Sequence, residues 1–268
     1  MLLVIAGVGF MAYPWVSSWY NKRQALELVQ LYERDVQALT SDLAAAELER
    51  AQHYNGTISG AIHADPFVGG SGAQYPGDYL SVLDISGNGM MGYLEIPLFR
   101  SKLPIFHGAA EDVLQRGIGH IPSTALPVGG VGTRCVLVGH RGLPGNELLT
   151  NADKLIIGDL FYLRVLGETF AYRIVEIQVV TPDALVDIAP VAGRDLCTLV
   201  TCTPLNINSH RLVLTGERTE YVPDAPVTGP HSLSAYERQM LIVAIAGAVG
   251  LVLVVGIGLY LRRRRRRR

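Results

Sequence analysis

Thr198-Leu199-Val200-Thr201-Cys202-Thr203-Pro204, followed shortly by Asn208-Ser209-His210-Arg211, is the stretch on which the reading of this chain turns. An apolar run of β-type residues delivers a cysteine to its end, and a proline-broken turn follows at once. That arrangement sets a thiol at a sheet edge, where a substrate can reach it. A second apolar run, Val136-Leu137-Val138-Gly139-His140, ends in a histidine. Cysteine, histidine and arginine are thus expected at the ends of neighbouring strands.

Working outward, short apolar or alternating runs separated by turn residues predict strands at 93–96, 103–107, 135–140, 160–165, 169–180, 196–203 and 211–217. The run 169–180 alternates: Phe170, Tyr172, Ile174 and Glu176 share one face, and Arg173, Val175, Ile177 and Val179 the other. Helical patches are expected at 111–116 and 147–155. Many short strands with few helices predict a mostly β fold, a barrel or a sandwich, over residues 93–222. Upstream, Leu28, Leu31, Leu39, Leu43 and Leu48 recur at helical spacings within 21–55, with Thr40-Ser41-Asp42 as a capping point between two helices. The apolar face of this lead-in needs a partner, which favours packing on the domain over a free stalk. Residues 56–92 are glycine-rich and weakly periodic. They read as a functional loop carrying Asp65-Pro66-Phe67 rather than a linker, because strands resume directly after them.

The net charge of −1 conceals two objects, since seven of the 23 basic residues are the tail 262–268. Without the tail, 16 basic residues face 24 acidic ones, a balance of −8, and nothing in that acidic body suggests nucleic-acid binding. Residues 241–261 carry no charge over 21 positions, enough at about 1.5 Å per helical residue to cross a hydrocarbon core of roughly 30 Å. With the arginines beside them they read as a transmembrane helix with the C-terminus cytoplasmic, in preference to a buried core helix. Residues 1–20 read as a second span or a signal sequence, with Pro14, Trp15, Trp19 and Tyr20 interfacial in character. Either way the body is extracytoplasmic, joined to the C-terminal span by the proline-rich linker 223–240.

The cysteines are Cys135, Cys197 and Cys202. They fit neither a disulfide scaffold nor a zinc site, since no CxxC pair exists, and nothing calls for a cofactor. Cys197 and Cys202 lie five apart in one strand and face opposite sides, so they cannot bridge each other. Cys202 is the candidate nucleophile, the alternative being an inert buried thiol. An unperturbed thiol is only a few per cent ionised at neutral pH, and Arg211, brought back across the turn, would favour the thiolate or hold an oxyanion. His140 is the candidate proton carrier, since protonating a leaving amine and later deprotonating an incoming one calls for an imidazole; His107, His120 and His210 are its rivals. No asparagine or aspartate stands out to orient it. The residues alone reach a membrane-anchored extracytoplasmic β domain, a cysteine-dependent acyl-transfer enzyme.

Taken together, TLVTCTP at 198–204, NSHR at 208–211, VGHRGLP at 138–144 and GYLEIP at 92–97 resemble the sortases, in particular the class C, pilus-building type. Asp65-Pro66-Phe67 matches the lid motif of that class, and a C-terminal span is typical of it. The resemblance implies an eight-stranded β-barrel and a transpeptidase acting on a Leu-Pro-x-Thr-Gly-like sorting signal. It implies Cys202 as nucleophile, His140 as general acid and base, Arg211 as the group that steadies substrate or oxyanion, and Asp65, Pro66 and Phe67 as lid. The partners implied are pilin subunits bearing the signal and an acceptor lysine. Leu205-Asn206 replaces the Tyr-Gly often seen after the Thr-Pro, and Arg134-Cys135 replaces the usual His-Ser or His-Ala. Two other readings stand beside this one: a housekeeping-type sortase attaching proteins to the cell wall, and a non-enzymatic membrane-bound β module.

Overall fold

The computed structural model describes residues 2–58, 60, 62, 65–67, 75, 77–143, 146 and 148–223, together with 241, 242, 245, 247 and 250. Eight strands, β1 (Met90–Ile96), β2 (Ser101–His107), β3 (Ile118–His120), β4 (Thr133–Val138), β5 (Leu160–Val165), β6 (Glu168–Val180), β7 (Asp195–Thr203) and β8 (His210–Thr219), close into a barrel. The order around it is β1-β2-β3-β4-β7-β8-β6-β5. Closure resolves the choice between barrel and sandwich, and it leaves no unpaired sheet edge. The pairs β2–β3 and β4–β7 are parallel and the remainder antiparallel.

Strand alternation gives the β4–β7–β8 wall two faces. Inward, Cys135, Leu137, Cys197, Leu199, Leu212 and Leu214 join the main core, which also holds Phe161, Tyr172 and Ile174. Outward, Val136, Val138, Val200 and Val213 form a second apolar cluster that Ile62, Leu185 and Ile188 cover, with Phe67 against it. Cys202 and Arg211 lie two residues from Val200 and Val213, and so belong to this outer face.

Two short features departed from expectation. β3 was not foreseen, because three residues cannot display an alternation. The expected helix at 147–155 is instead a set of turns with one 3-10 turn at Ala152–Lys154, Glu147 itself lying outside the described residues. Along β6 the pairing with β8 shifts between Ile174 and Glu176, a bulge that resets the alternation. Phe170, Tyr172 and Ile174 are buried as the pattern requires. Past the bulge Glu176 turns to solvent, and Ile177, placed on the opposite face by simple alternation, packs on the core.

The lead-in is two helices, α1 (Leu2–Ala38) and α2 (Ser41–Asn55), with a third, α3 (Glu111–Arg116), between β2 and β3. Thr40 caps α2 by accepting from the Leu43 amide at 3.3 Å, so the predicted break holds. The face that α1 buries differs from the leucine pattern. Val29, Tyr32 and Val36, spaced at helical intervals, pack with Met90, Tyr93, Phe106 and Val113; of the leucine stripe, Leu28 joins this cluster and Leu39 and Leu48 pack on the main core, while Leu43 of α2 is exposed. The Tyr32 hydroxyl donates to the Met91 carbonyl (3.0 Å) and accepts from the Leu166 amide (3.0 Å), fixing the helix to β1 and to the turn after β5. From α2, Asn55 donates to the Leu126 carbonyl at 3.3 Å and accepts from the Leu126 amide at 2.7 Å. The first twenty residues and the start of the lead-in are one continuous helix. Among the described residues no helix is long and apolar enough to cross a membrane. Residues 224–240, most of 241–261 and the tail 262–268 lie outside the described residues.

Candidate active site

The parallel pairing of β4 with β7 sets Val138 opposite Val200, and two residues beyond each come His140 and Cys202. Across β7 and β8, Cys202 is the direct partner of Arg211. The three residues expected to act together therefore meet at one end of one wall, on its outer face.

Arg211 is buried and heavily committed. Its guanidinium donates to both carboxylate oxygens of Asp65, Nε to Oδ1 at 3.1 Å and Nη2 to Oδ2 at 2.5 Å. Its Nη1 donates to the carbonyls of Asn208 (2.8 Å) and His210 (3.0 Å). Such a fork against a carboxylate is among the stronger polar contacts available to a side chain. Asp65 also accepts the Phe67 amide at 3.2 Å, a tight turn across Pro66 that aims the phenylalanine ring back at the wall. That ring lies 5.1 Å from the Arg211 guanidinium carbon and 5.9 Å from the His140 ring. The loop motif thus rests on both predicted partners of the cysteine.

Cys202 is a buried free thiol. Burial pushes its pKa up; the Arg211 guanidinium opposes this and the Asp65 carboxylate adds to it. In this arrangement the thiol is held protonated. Lifting Asp65 and Phe67 away would remove the anion, admit water and leave Arg211 beside the sulfur, three changes that all favour thiolate.

The loop that presents His140 is held by its neighbours. The Gly139 amide donates to the Val200 carbonyl (3.2 Å) and the Gly139 carbonyl accepts from Thr201 Oγ1 (2.7 Å). A Cβ at Gly139 would stand 2.7 Å from Ile118 Cδ1 and 3.1 Å from Leu149, so a side chain there would have to displace these two side-chain ends. Arg141 is buried and donates to the Thr150 carbonyl (3.2 Å) and to Thr203 Oγ1 (3.1 Å), and pairs with Asp153 at 2.6 Å. It ties the histidine loop to the residue after Cys202. Gly142, at φ +74°, has Leu205 against it, so the loops after β4 and after β7 touch.

One partner of His140 was not visible in the sequence. Glu111, at the start of α3, puts Oε1 3.4 Å from His140 Nε2, close enough for ion pairing although not aligned as a hydrogen bond. The Glu111 side chain is 64% exposed and that of His140 21%, so water screens the pair. Only the fold brings α3 to this loop. The rival histidines are accounted for elsewhere. His107 contacts the Val82 and Gly89 carbonyls, and His120 contacts Tyr79 and the Ala125 carbonyl. The His210 ring is hydrogen-bonded to its neighbour Ser209.

The family model for the sortase domain matches residues 94–219. Among solved structures, sortase C1 of GBS Pilus Island 1 is 37% identical with a TM-score of 0.68, the likeness covering 76% of this chain and 97% of that one. The chain belongs to the sortase family, in class C. Sortase C-1 of Streptococcus pneumoniae is also similar (34% identical, TM-score 0.68, 73% of this chain and all of that one). So is sortase C-1 of Actinomyces oris (41%, TM-score 0.62, 66% and 99%). By sequence alone this sortase is 29% identical over 130 residues to sortase D of Bacillus subtilis, a match covering 47% of this chain and 63% of that protein.

Within this sortase the replacement of Tyr-Gly by Leu205-Asn206 has a local explanation. Asn206 takes φ +67°, a left-handed conformation that asparagine tolerates better than other non-glycine residues. The turn geometry that a glycine serves is therefore kept, and Leu205 lies against Gly142.

Proposed function

We propose that this sortase joins pilin subunits: it cleaves a Leu-Pro-x-Thr-Gly-like sorting signal and transfers the threonine carbonyl to a lysine amine of the next subunit. In this reading the Cys202 thiolate attacks the threonine carbonyl, forming the S–C bond. His140 protonates the leaving glycine amine as the C–N bond breaks, giving a thioacyl enzyme. The lysine amine then attacks, its proton passes to His140, and the S–C bond breaks. Arg211 steadies the oxyanion or the bound signal. The observation that carries this reading is the meeting of Cys202, His140 and Arg211 at one strand end, with Asp65 and Phe67 laid across them. Arg211 cannot serve a substrate while Asp65 occupies its fork, so turnover begins with displacement of the lid, and reclosure would shield the thioacyl enzyme from water.

Residues 241–261, and 1–20 if not cleaved, hold the enzyme in the lipid bilayer with its barrel outside and its arginine tail in the cytoplasm. The chemistry is tested by incubating the full chain in detergent with a Leu-Pro-x-Thr-Gly peptide and weighing the protein. A thioacyl adduct, enhanced by Asp65→Ala or Phe67→Ala and absent in Cys202→Ala, is expected; no adduct in any lid variant would sink the enzymatic reading. In cells, loss of the gene should remove a high-mass pilin ladder. Loss of monomeric surface proteins instead would assign it to cell-wall anchoring.

A further inference from the structure

Two of the three cysteines take no part in the reaction, and the barrel puts them side by side. Cys135 on β4 and Cys197 on β7 are direct partners in the parallel pairing. Both side chains point inward, and both are free thiols buried in the main core. Adjacent strands lie about 4.7–4.9 Å apart, inside the Cα separations that disulfides span. Burial pushes both thiols towards the neutral form.

We propose that Cys135 and Cys197 are a disulfide site, oxidised as the exported chain folds, which cross-links β4 to β7 inside the barrel. The Cys135 thiolate attacks an external disulfide, that of a thiol oxidoreductase or a small-molecule disulfide, and displaces one of its thiols. The Cys197 thiolate then attacks the mixed disulfide and displaces the other. The two cysteines lose two electrons and two protons; the external disulfide gains the electrons and becomes two thiols, and the protons pass to water or the released thiolates. Because both sulfurs are fully enclosed in the finished barrel, the exchange belongs to folding rather than to the folded enzyme.

The location gives the bond a use. His140 and Cys202 each follow their cysteine by five residues, one on β4's extension and one on β7. A link at the paired cysteines therefore locks the register of the two strands that set the spacing of histidine and thiol. Cys202 points to the other face of β7 and stays free.

The test uses the full chain, exported and purified in detergent with N-ethylmaleimide present from lysis, then denatured without reductant and weighed. One maleimide, on Cys202, and a digest fragment linking Cys135 to Cys197 are expected; with reductant added first, three maleimides. The Cys202→Ala chain should take none without reductant. A loop of roughly 60 residues is closed, so reduction should lower the melting temperature of the Cys202→Ala chain by roughly 5–15 °C. Three maleimides without reductant, both in the exported protein and after refolding in a glutathione redox buffer, would overturn the proposal. So would a disulfide that includes Cys202, or an unchanged melting temperature on reduction. These outcomes do not depend on peptide cleavage, so they stand or fall apart from the transpeptidase reading.

Discussion

Strand β7 carries two cysteines five residues apart, and the barrel gives them opposite surroundings. Cys197 looks inward, among core side chains and against Cys135. Cys202 looks outward, opposite Arg211 and close to the chain's turn, where the Asp65-Pro66-Phe67 loop lies on Arg211. Both are buried, and burial pushes the pKa of each up. The difference lies in what can move. A core wall cannot part without unfolding the barrel, whereas in the proposed reading the loop bearing Asp65 and Phe67 lifts. Reactivity here is a property of the strand face, decided by a residue count of odd parity.

The comparison breaks most visibly by exchanging the nucleophile. Cys202→Ala should lower transpeptidation by roughly 10⁴-fold or more, measured as peptide turnover, while the barrel melts cooperatively as before. If this variant kept appreciable activity, the outward cysteine would have no chemical distinction. Next in size is the lid. Asp65→Ala and Phe67→Ala should each raise the rate at which a thiol reagent labels Cys202 by roughly ten-fold or more, with no labelling gained at Cys197 before unfolding. Equal rates in wild type and both variants would mean that the loop is open at rest.

The same contrast has a pH signature. With its folded pKa raised, Cys202 stabilises the closed arrangement fully below the ordinary thiol value of about 8.5, and that contribution is lost as pH rises through the higher folded value. Labelling of the wild type should therefore rise at more alkaline pH than a free cysteine's. Asp65→Asn, which removes the anion beside the sulfur, should move the profile to lower pH, and a profile unmoved by it would remove Asp65 from the electrostatics. On the inward side, Tyr79→Phe takes the hydroxyl that accepts the Gly108 amide (2.8 Å) and contacts His120 Nδ1 (2.9 Å). Two buried polar groups lose a partner, so denaturant titration should show a loss of about 1–3 kcal/mol. The smallest effect is expected at Glu111, whose exposure screens it. Glu111→Gln should change turnover by no more than roughly two-fold, checked in a pH–rate profile.

Much of this was legible because strands announce themselves by alternation and the chemistry sits at strand ends. β4 and β7 were found from their apolar runs, and the thiol, the imidazole and the guanidinium from what terminates them. What stayed hidden has physical causes. β3 is too short to show a period, and the bulge at Val175 changes faces without any proline or glycine to mark it. Residues 147–155 have helix-forming composition, but the loop's shape is set by distant contacts such as Arg141 with Thr150. The pairing of Glu111 with His140, and of Cys135 with Cys197, depends on which strands and helices become neighbours. Residue spacing along one strand showed that Cys197 could not reach Cys202; it said nothing of a cysteine 62 positions upstream.

Helix α1 runs 37 residues without interruption, about 55 Å, and is seated on the barrel through Val29, Tyr32 and Val36. It therefore behaves as a spar rather than a tether. A flexible leash would let the catalytic wall sample every orientation, but a stiff rod gripped by the barrel passes on direction. Whatever holds the first twenty residues also chooses the compass bearing of the groove, and with it the side from which a substrate and its acceptor must arrive.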